Sequence, residues 1–296
     1  MKIEELANKS ARFALNLEEN QAKSAATDAR IFVLKHLEPT SFESSVYTPF
    51  LCLIVRGKKE ILIGDQSIRF GAGQSLVLCH DLPVVARILE ASHEVPYLAI
   101  VMPIDMDIVR SLYSEIGDAA PEPQRTEPLA VGQADEALID ALHRYLEISD
   151  KPNEAAVLGP LIMKEIHFRL LMAPNGGMLR QLLSRDSHAS RISKAIDLIR
   201  QQYRTALAVA DLSKAANMSA SSFHEHFKSV TGTTPLQYQK DLRLIEAKQL
   251  LAIGEQSVAT IAYDVGYESA TQFSREYTRK YGASPREDIG KSLVAV

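Results

Sequence analysis

The chain has 296 residues, 46% of them apolar, and a formal net charge of −4. At roughly 150 residues per domain, this length predicts about two domains with a sizeable core. No apolar run is long enough to span a bilayer, and the charged N-terminus is unlike a secretory leader, so we expect a soluble, cytosolic protein with no membrane partner.

Charge and cysteine content narrow the class further. Residues 188–296 carry 14 Lys and Arg against 11 Asp and Glu, whereas the rest of the chain carries 19 against 26. This modest basic excess permits a nucleic-acid partner without indicating one by itself. Cys52 and Cys79 lie in apolar stretches without CxxC spacing, which argues against a disulfide framework or a zinc site.

Residues 30–102 consist of short apolar or alternating runs, such as "FLCLIV", "EILIG" and "QSLVL". Turn-forming residues separate these runs, for example Gly64-Asp65 and Gly71-Ala72-Gly73. This spacing predicts a small β-barrel or sandwich. From 105 to 172 the apolar positions lie three and four apart, which predicts helices, with "APNGG" at 173–177 as a stop. We expect residues 176–188 to form a linker.

One pattern occurs twice in the C-terminal third. "VADLSKAANMS", from Val209, aligns with "VATIAYDVGYES", from Val258, with one extra residue in the turn. The aromatic, glycine and proline positions that follow also match. They are Phe223, Phe227, Gly232 and Pro235 in the first copy and Phe273, Tyr277, Gly282 and Pro285 in the second. Each copy predicts a helix, a tight turn and a second helix, so we expect two helix-turn-helix units, over 207–231 and 257–281.

The second helix of each unit has an apolar and a polar side, and Ser219 and Ser269 are its expected N-caps. At 100° per residue, the side opposite the aromatic residues is polar in both copies. It carries Ser221, His224, Glu225 and Lys228 in the first copy and Thr271, Ser274, Arg275 and Thr278 in the second. Such faces suit helices that enter a major groove. A single helix of this kind would more often be a solvated surface, but two copies on one frame favour DNA.

The stretch between the units, "TPLQYQKDLRLIEAKQLLAIG", predicts a helix of about 17 residues, roughly 26 Å long. Pro235 suits its first turn. Five residues supply apolar faces for the flanking units: Leu236, Leu242, Ile245, Leu250 and Leu251. Such a frame would hold two reading helices near the ~34 Å repeat of B-DNA, so that one chain reads two successive major grooves. Two units with a long connecting helix argue against the alternative of a helical-repeat adaptor.

"RLIEAKQLL" followed by "IAYDVGYESATQFSREYTRKYGASPRED" resembles the C-terminal signature of the AraC/XylS family of bacterial transcription regulators. The similarity runs from about Arg191 to Asp288. "YTPFLCLIVRGKKEILIGDQSIRFGAGQSLVL" and "LGPLIMKEIHFRLLM" are similar to the branch of that family with a cupin-like barrel and a helical dimerisation segment. One departure is Asn217, which stands where the family's first turn has glycine.

The resemblance implies roles for particular residues. The base-reading candidates are Ser221, His224 and Glu225 in the first unit and Thr271, Gln272, Ser274 and Arg275 in the second. An Arg275 guanidinium can bond guanine O6 and N7 together or grip a phosphate, whereas a carboxylate at Glu225 is repelled by DNA unless it accepts from cytosine N4. The phosphate candidates are Lys228, Lys240, Arg279 and Lys280, each of which is equally compatible with an ordinary solvated side chain. Arg243 has the alternative of pairing with Glu246 at i,i+3.

The N-terminal part leaves several functions open. Cupin barrels often hold a metal through clustered histidines, but His36, His80 and His93 are scattered, and we interpret each as a surface or hydrogen-bonded residue. No phosphate-binding glycine loop or GxSxG motif is present. A cupin-type metalloenzyme with an accessory DNA-binding domain is therefore the less favoured alternative, and we expect no metal and no cofactor.

Non-catalytic sensing is the favoured interpretation. Alternate residues of strands such as 50–55 and 75–79 would line an interior that encloses a small-molecule effector. Cys52 or Cys79 could make the sensor thiol-reactive, although burial as inert core is the commoner fate of cysteine. A regulator without a ligand is a third possibility. Leu138, Leu142 and Leu146 in the predicted helices offer an apolar stripe that packs internally or forms a two-fold interface.

Taken together, the patterns predict an α+β protein. Residues 1–175 would form an effector-sensing and dimerisation domain, with a cupin-like β-barrel at 30–102 and helices at 105–172, and residues 189–296 an all-α double helix-turn-helix domain. We expect a homodimeric, non-enzymatic regulator whose partners are double-stranded promoter DNA, RNA polymerase and a small-molecule effector. The effector would change how the N-terminal domains hold the DNA-binding domains, and so promoter occupancy or polymerase contact.

Overall fold

The computed structural model describes residues 3–20, 31–64, 66–117, 129–184 and 187–290, with backbone alone for 15–20. A β-sheet part is followed by a helical part, which confirms the predicted α+β class. The strands described are β1 (Phe32–His36), β2 (Glu43–Tyr47), β3 (Phe50–Arg56), β4 (Lys58–Ile63), β5 (Gln66–Gly71), β6 (Gln74–Leu78), β7 (Leu82–Glu90), β8 (Tyr97–Pro103) and β9 (Ala130–Gln133). The helices described are α1 (Ile3–Asn20), α2 (Met106–Ile116), α3 (Glu136–Ile148), α4 (Pro152–Met172), α5 (Gly177–Leu183), α6 (His188–Gln202), α7 (Val209–Ala215), α8 (Ala220–Thr231), α9 (Pro235–Ile253), α10 (Val258–Asp264) and α11 (Ala270–Tyr281).

The strands form two antiparallel sheets. One has the order β1-β8-β3-β6-β9, and the other has the order β2-β7-β4-β5. In the first sheet, Cys52 of β3 lies opposite Leu76 of β6 and Val101 of β8. Residues of β7 alternate between buried and half-buried, as expected for a strand with one fully covered face. The two sheets share one apolar core, as expected for the small barrel or sandwich predicted at 30–102, and the cupin-like form of that barrel stays a prediction.

Two details of the predicted N-terminal part differ from the structure. Strand β9 falls within 105–172, where helices alone were predicted; its sequence, "AVGQ", is too short and too small to show an alternating pattern. It extends the first sheet by pairing with β6. Residue 30 of the predicted barrel and Asp65 of the predicted turn lie outside the described residues.

Helices α3 and α4 pack on each other in the N-terminal part, and Leu138, Leu142 and Leu146 point into the shared core. The predicted apolar stripe of α3 is therefore covered within the chain. Helix α4 differs along its length. Its second half is buried, whereas its first half exposes Val157 and Leu161 by 67% and 63%. The predicted linker, 176–188, includes the helix α5; residues 185 and 186 lie outside the part of the chain that the structure describes.

The C-terminal helices form the two predicted helix-turn-helix units. Helices α7 and α8 make the first unit, and α10 and α11 make the second. The Ser219 hydroxyl accepts the Ser222 N–H at the start of α8, and the Ser269 hydroxyl accepts the Gln272 N–H at the start of α11. Both predicted N-caps are thus confirmed. Each second helix ends at a glycine in the left-handed region, Gly232 or Gly282, as is common for helix C-termini.

Helix α9 connects the units and belongs to the core of each. Tyr238 and Leu242 pack into the apolar core that includes the first unit, while Leu244, Ala247 and Leu251 pack into a separate core with the second. The 19-residue helix is roughly 28 Å long at 1.5 Å per residue. Burial on both sides explains why the helix is not amphipathic along its whole length.

The predicted apolar faces of α9 are confirmed for Leu242, Ile245 and Leu251, which are buried. The prediction was wrong for Leu236, which is 62% exposed. In the first turn of α9, Pro235 and Tyr238 are the buried residues, three positions apart on one face. Leu236 lies about 100° around the helix from Pro235 and therefore points away from the core.

The turn inside each unit needs a residue with positive φ. Asn217 has φ 51° in the first turn, and Gly266 has φ 92° in the second. Equivalent hydrogen bonds follow the two turns. The Met218 N–H donates to the Ser213 carbonyl at 2.9 Å, and the Tyr267 N–H donates to the Ala262 carbonyl at 2.9 Å. Asparagine is one of the few residues that tolerate this conformation. Glycine is required at 266 for a second reason, because a Cβ there would overlap the carbonyl oxygen of Arg204.

We expect Gly266→Ala to destabilise the chain by about 3 kcal/mol or more, because it adds a steric clash to an unfavourable φ. Gly282→Ala is the matched control. Gly282 also has positive φ, 74°, but no atom lies within 4 Å of its Cβ position, so only the backbone term of about 1–2 kcal/mol applies. Urea unfolding followed by circular dichroism measures both losses. Equal losses in the two variants would contradict the close approach of Arg204 to the turn.

Candidate nucleic-acid interface

The first helix expected to read DNA is α8. Phe223, Phe227 and Val230 are buried against the core, as predicted from the helical period. The predicted polar face is exposed along its whole length: Ser221, His224, Glu225 and Lys228. None of these four side chains has an ion-pair partner among the described residues, so the face is open to a ligand.

The second helix, α11, has the same construction. Phe273 and Tyr277 are fully buried, and Thr271, Gln272, Arg275 and Thr278 are exposed. Ser274 is half-buried and donates its hydroxyl to the carbonyl of Ala270 at 2.9 Å. The Gln272 amide donates to Glu276 Oε1 at 3.2 Å. Arg275 has neither a hydrogen bond nor an ion pair within the described part of the chain, which leaves its guanidinium available.

The four predicted phosphate contacts fall into two groups. Lys228 and Arg279 are exposed side chains on the reading helices. Lys240 pairs with Glu276 at 3.0 Å, and Lys280 pairs with Asp241, all four side chains being largely covered. These two ion pairs tie α9 to α11, which favours a structural role for both lysines.

Arg243 does not make the pair that its spacing suggested. Its Nε donates to the Tyr203 carbonyl at 2.6 Å and its Nη2 to the Thr205 carbonyl at 2.9 Å. Glu246, the expected partner, pairs instead with Arg204 at 3.3 Å. The guanidinium satisfies carbonyl groups that the end of α6 leaves without helical partners.

A contact that no sequence pattern indicated joins the first unit to the β-sheet part. We call it the interdomain seam, defined by Gly64, Asp81, Arg200, Gly232 and Tyr238. The Tyr238 hydroxyl donates to the Asp81 carbonyl at 2.7 Å, and the Asp81 carboxylate pairs with Arg200. Gly64 approaches Gly232 so closely that a Cβ at 64 would lie 2.5 Å from the Gly232 oxygen. The apolar core is continuous across this contact.

His80 also lies at the interdomain seam. Of the two positions predicted for it, surface or hydrogen-bonded, the surface position is wrong, because His80 is 4% exposed and neighbours the Val230 backbone. Burial lowers its pKa to about 4, so the imidazole is neutral at neutral pH. It lies between β6 and β7, next to Asp81 of the interdomain seam.

A cavity of about 320 Å³ lies between the two sheets. Ten of its fourteen lining residues are apolar, among them Phe50, Cys52 and Leu76 from the predicted interior strands. Lys59 also lines it. The sequence did not predict this position, because "GKKEILI" has the composition of a solvated strand end.

The two cysteines are both buried. Burial raises the pKa of Cys52 to about 11 and that of Cys79 to about 12. The thiolate, which is the reactive form, is therefore scarce at neutral pH. Cys52 lines the cavity and Cys79 does not, so of the two predicted effector candidates only Cys52 is placed to contact a molecule there.

Within residues 3–20, 31–64, 66–117, 129–184 and 187–290, no group of three or more His, Cys, Asp or Glu side chains is arranged to hold a metal ion. Nor does any helix in those ranges have the length and apolarity needed to cross a membrane.

The fold and the paired polar helices define a helix-turn-helix DNA-binding protein with an N-terminal β-sheet domain. The family described as AraC-type transcriptional regulator N-terminus matches residues 29–178, just over half of the chain, and a helix-turn-helix domain matches residues 212–289. The chain therefore belongs to the AraC-type family of transcriptional regulators. Members of this family are regulators, not enzymes, so the metalloenzyme alternative is not supported.

Curated relatives are similar over part of their length. The raffinose operon transcriptional regulatory protein RafR of Pediococcus pentosaceus is 30% identical over 155 residues, which cover 51% of this chain and 54% of RafR. The thermoregulatory protein LcrF of Yersinia pestis is 26% identical over 181 residues, or 60% and 64% of the two chains. The chain thus spans between half and two thirds of the length of these relatives.

Solved structures of ToxT from Vibrio cholerae share the fold across both parts. An apo variant matches with a TM-score of 0.54 and 15% identity, covering 89% of this chain and 98% of ToxT. Wild-type ToxT bound to an unsaturated fatty acid matches with a TM-score of 0.53 and 15% identity, covering 90% and 97%. At this identity the likeness concerns the fold alone.

Proposed function

We propose that the chain is a sequence-specific transcription regulator that reads double-stranded promoter DNA with α8 and α11. The single observation that carries the proposal is the pair of open polar faces on two capped helices that share α9 as a frame. An α-helix fits the major groove, where each base pair presents a distinct pattern of donors and acceptors. Family membership supports the same reading.

The base-reading roles follow from what each exposed side chain can do. Ser221, His224 and Glu225 would read the first groove, and Thr271, Gln272, Ser274 and Arg275 the second. Arg275 is best placed for a guanine, since its guanidinium is unpaired and fits O6 and N7 together. Lys228 and Arg279 would contact phosphates and set the position on the duplex.

Effector control rests on the position of strand β2. Ser45, Val46 and Tyr47 of β2 line the cavity, and the same strand contacts α9 of the DNA-binding part. A molecule in the cavity would therefore press on a strand that packs against the frame of both reading helices. We propose that the effector shifts the balance between arrangements of the two parts, and so promoter occupancy and contact with RNA polymerase. ToxT, which shares the fold, has been solved with a fatty acid bound.

A homodimer is part of the proposal. Val157, Leu158 and Leu161 expose large apolar side chains on the first half of α4, at positions i, i+1 and i+4 of one helix face. Clustered exposed apolar residues mark interaction surfaces more often than isolated ones. Because a two-fold dimer uses the same surface on both copies, this face of α4 would pack against its equivalent in a second chain.

Arg275→Ala should remove the preference for one base position in the selected site, a loss of about 1–3 kcal/mol, because the bidentate contact is base-specific. Arg279→Ala, one turn further on, is the matched control. It should weaken binding uniformly and reduce the salt slope by about 1. The measurements are in vitro selection from a random duplex library, then affinity titrations at several salt concentrations.

Two results would contradict these assignments. A uniform loss for Arg275→Ala with unchanged sequence preference would assign that residue to a phosphate. If the wild-type chain selects no site from the library, the proposed function is wrong.

Leu161→Glu should convert the dimer to a monomer, because it places a charge in the proposed apolar interface. Leu236→Glu is the matched control, since Leu236 is equally exposed but lies on α9. Sedimentation velocity at constant protein concentration measures both. A wild-type chain that sediments as a monomer, or a Leu161→Glu chain that remains dimeric, would exclude this interface.

A further inference from the structure

Lys59 is the unusual residue of the β-sheet domain. It lies in the middle of three consecutive charged residues of β4, and its neighbours are both paired: Lys58 with Glu90 at 2.7 Å, and Glu60 with Arg69 at 2.7 Å. Lys59 is 3% exposed and points the other way, between the sheets, where it lines the cavity. Within the described residues, no carboxylate lies at ion-pair distance from its ammonium group.

The contact that Lys59 does make is weak for a buried cation. Its Nζ lies 5.4 Å from the centre of the Tyr47 ring. A cation–π contact of this kind returns less free energy than the removal of an ammonium group from water costs. An ammonium also has three N–H donors, and an aromatic ring satisfies at most one of them. Its other N–H donors have no acceptor within the described part of the chain, and the side chain lines the cavity.

The groups around Lys59 leave its charge uncompensated. Burial, and then the charge of Lys59 itself, lowers the pKa of His36, which keeps the imidazole neutral. Burial raises the pKa of Cys52 to about 11, although Lys59 opposes that shift. The Tyr47 hydroxyl, on the cavity wall, is buried without a hydrogen-bond partner in the described part of the chain. It is a further donor for an oxygen near Lys59.

The rest of the cavity selects for an apolar body of limited size. Ten of the fourteen lining residues are apolar, with Phe32, Phe50 and Phe70 among them. Its volume is about 320 Å³, whereas ligand pockets commonly span about 300–1,000 Å³. A site of this kind is at the small end of ligand pockets.

We propose that this cavity binds a small monocarboxylate with an apolar body, whose carboxylate pairs with Lys59 Nζ. This inference deepens the proposed function by naming the chemical class of its effector. An alkyl and an aryl carboxylate share the required chemistry, a single anionic head on a small apolar body. The carboxylate supplies the acceptors that the ammonium group lacks, and the apolar body covers the aromatic and aliphatic walls.

Calorimetric titration of the full chain, without DNA, tests the ligand class. Octanoate represents the alkyl acids, and 3-phenylpropanoate represents the aryl acids. Octanamide is the matched neutral probe, because it has the same number of non-hydrogen atoms as octanoate. We expect at least one of the two acids to bind. If octanoate is the preferred acid, it should bind at least ten-fold tighter than octanamide. If the aryl acid is preferred, 3-phenylpropanamide takes the place of octanamide.

Lys59→Met removes the charge and keeps an unbranched side chain of similar length. It should weaken binding of the preferred acid at least ten-fold and leave binding of the amide unchanged. Lys58→Met is the control, since Lys58 belongs to the same strand but pairs outside the cavity. Lys59→Met should melt no lower than the wild type, because it removes a buried unpaired charge. If it fails to fold, the acid and amide comparison on the wild-type chain decides the question.

Three results would overturn the proposal: no binding of either acid at millimolar concentration, equal binding of acid and amide, or undiminished acid binding by Lys59→Met. A separate DNA titration tests the proposed function. If the acid binds and leaves DNA affinity unchanged, the ligand class stands and effector control fails. If no acid binds but the chain still selects a DNA site, the ligand class fails and the regulator remains.

Discussion

Burial of α9 on two sides is the constraint on which the DNA-binding part depends. The first half of this helix completes the core that includes α7 and α8, and the second half completes the core of α10 and α11. Neither short helix pair has enough apolar surface to be stable alone, so each needs the connecting helix as a third helix to pack against. Sharing one rigid helix fixes the relative position of the two reading faces, and the Lys240–Glu276 and Lys280–Asp241 pairs hold α11 to it.

The same helix also contacts the β-sheet part, which holds the cavity. Tyr238 at the start of α9 bonds the Asp81 carbonyl, and β2, which lines the cavity, packs against α9. The cavity, the interdomain seam and the frame of the reading helices are therefore adjacent layers. A change in cavity occupancy needs no long pathway to reach the DNA-binding part, because a single strand separates the two. The proposed coupling would be reciprocal, so DNA and effector would alter each other's affinity by the same factor.

Local sequence patterns predicted the helix-turn-helix units well, but they could not predict contacts between residues that are far apart in the chain. The buried aromatic residues of α8 and α11 follow the helical period, and Ser219, Ser269 and Asn217 mark caps and a turn by their own chemistry. The interdomain seam joins residues 157 positions apart through a backbone carbonyl, which no side-chain pattern marks. Lys59 was missed because a one-residue register change reverses which face a strand residue occupies, and only the pairing of β4 with β5 and β7 decides it.

In the proposed complex, one chain presents two reading helices, on a single frame, to successive major grooves. Hydroxyl-radical footprinting of the chain on a selected duplex tests this most directly. We expect, for each bound chain, two protected segments on the same face of the duplex, centred about one helical turn, or ~10 base pairs, apart. A single protected segment per chain, or two segments on opposite faces, would contradict it.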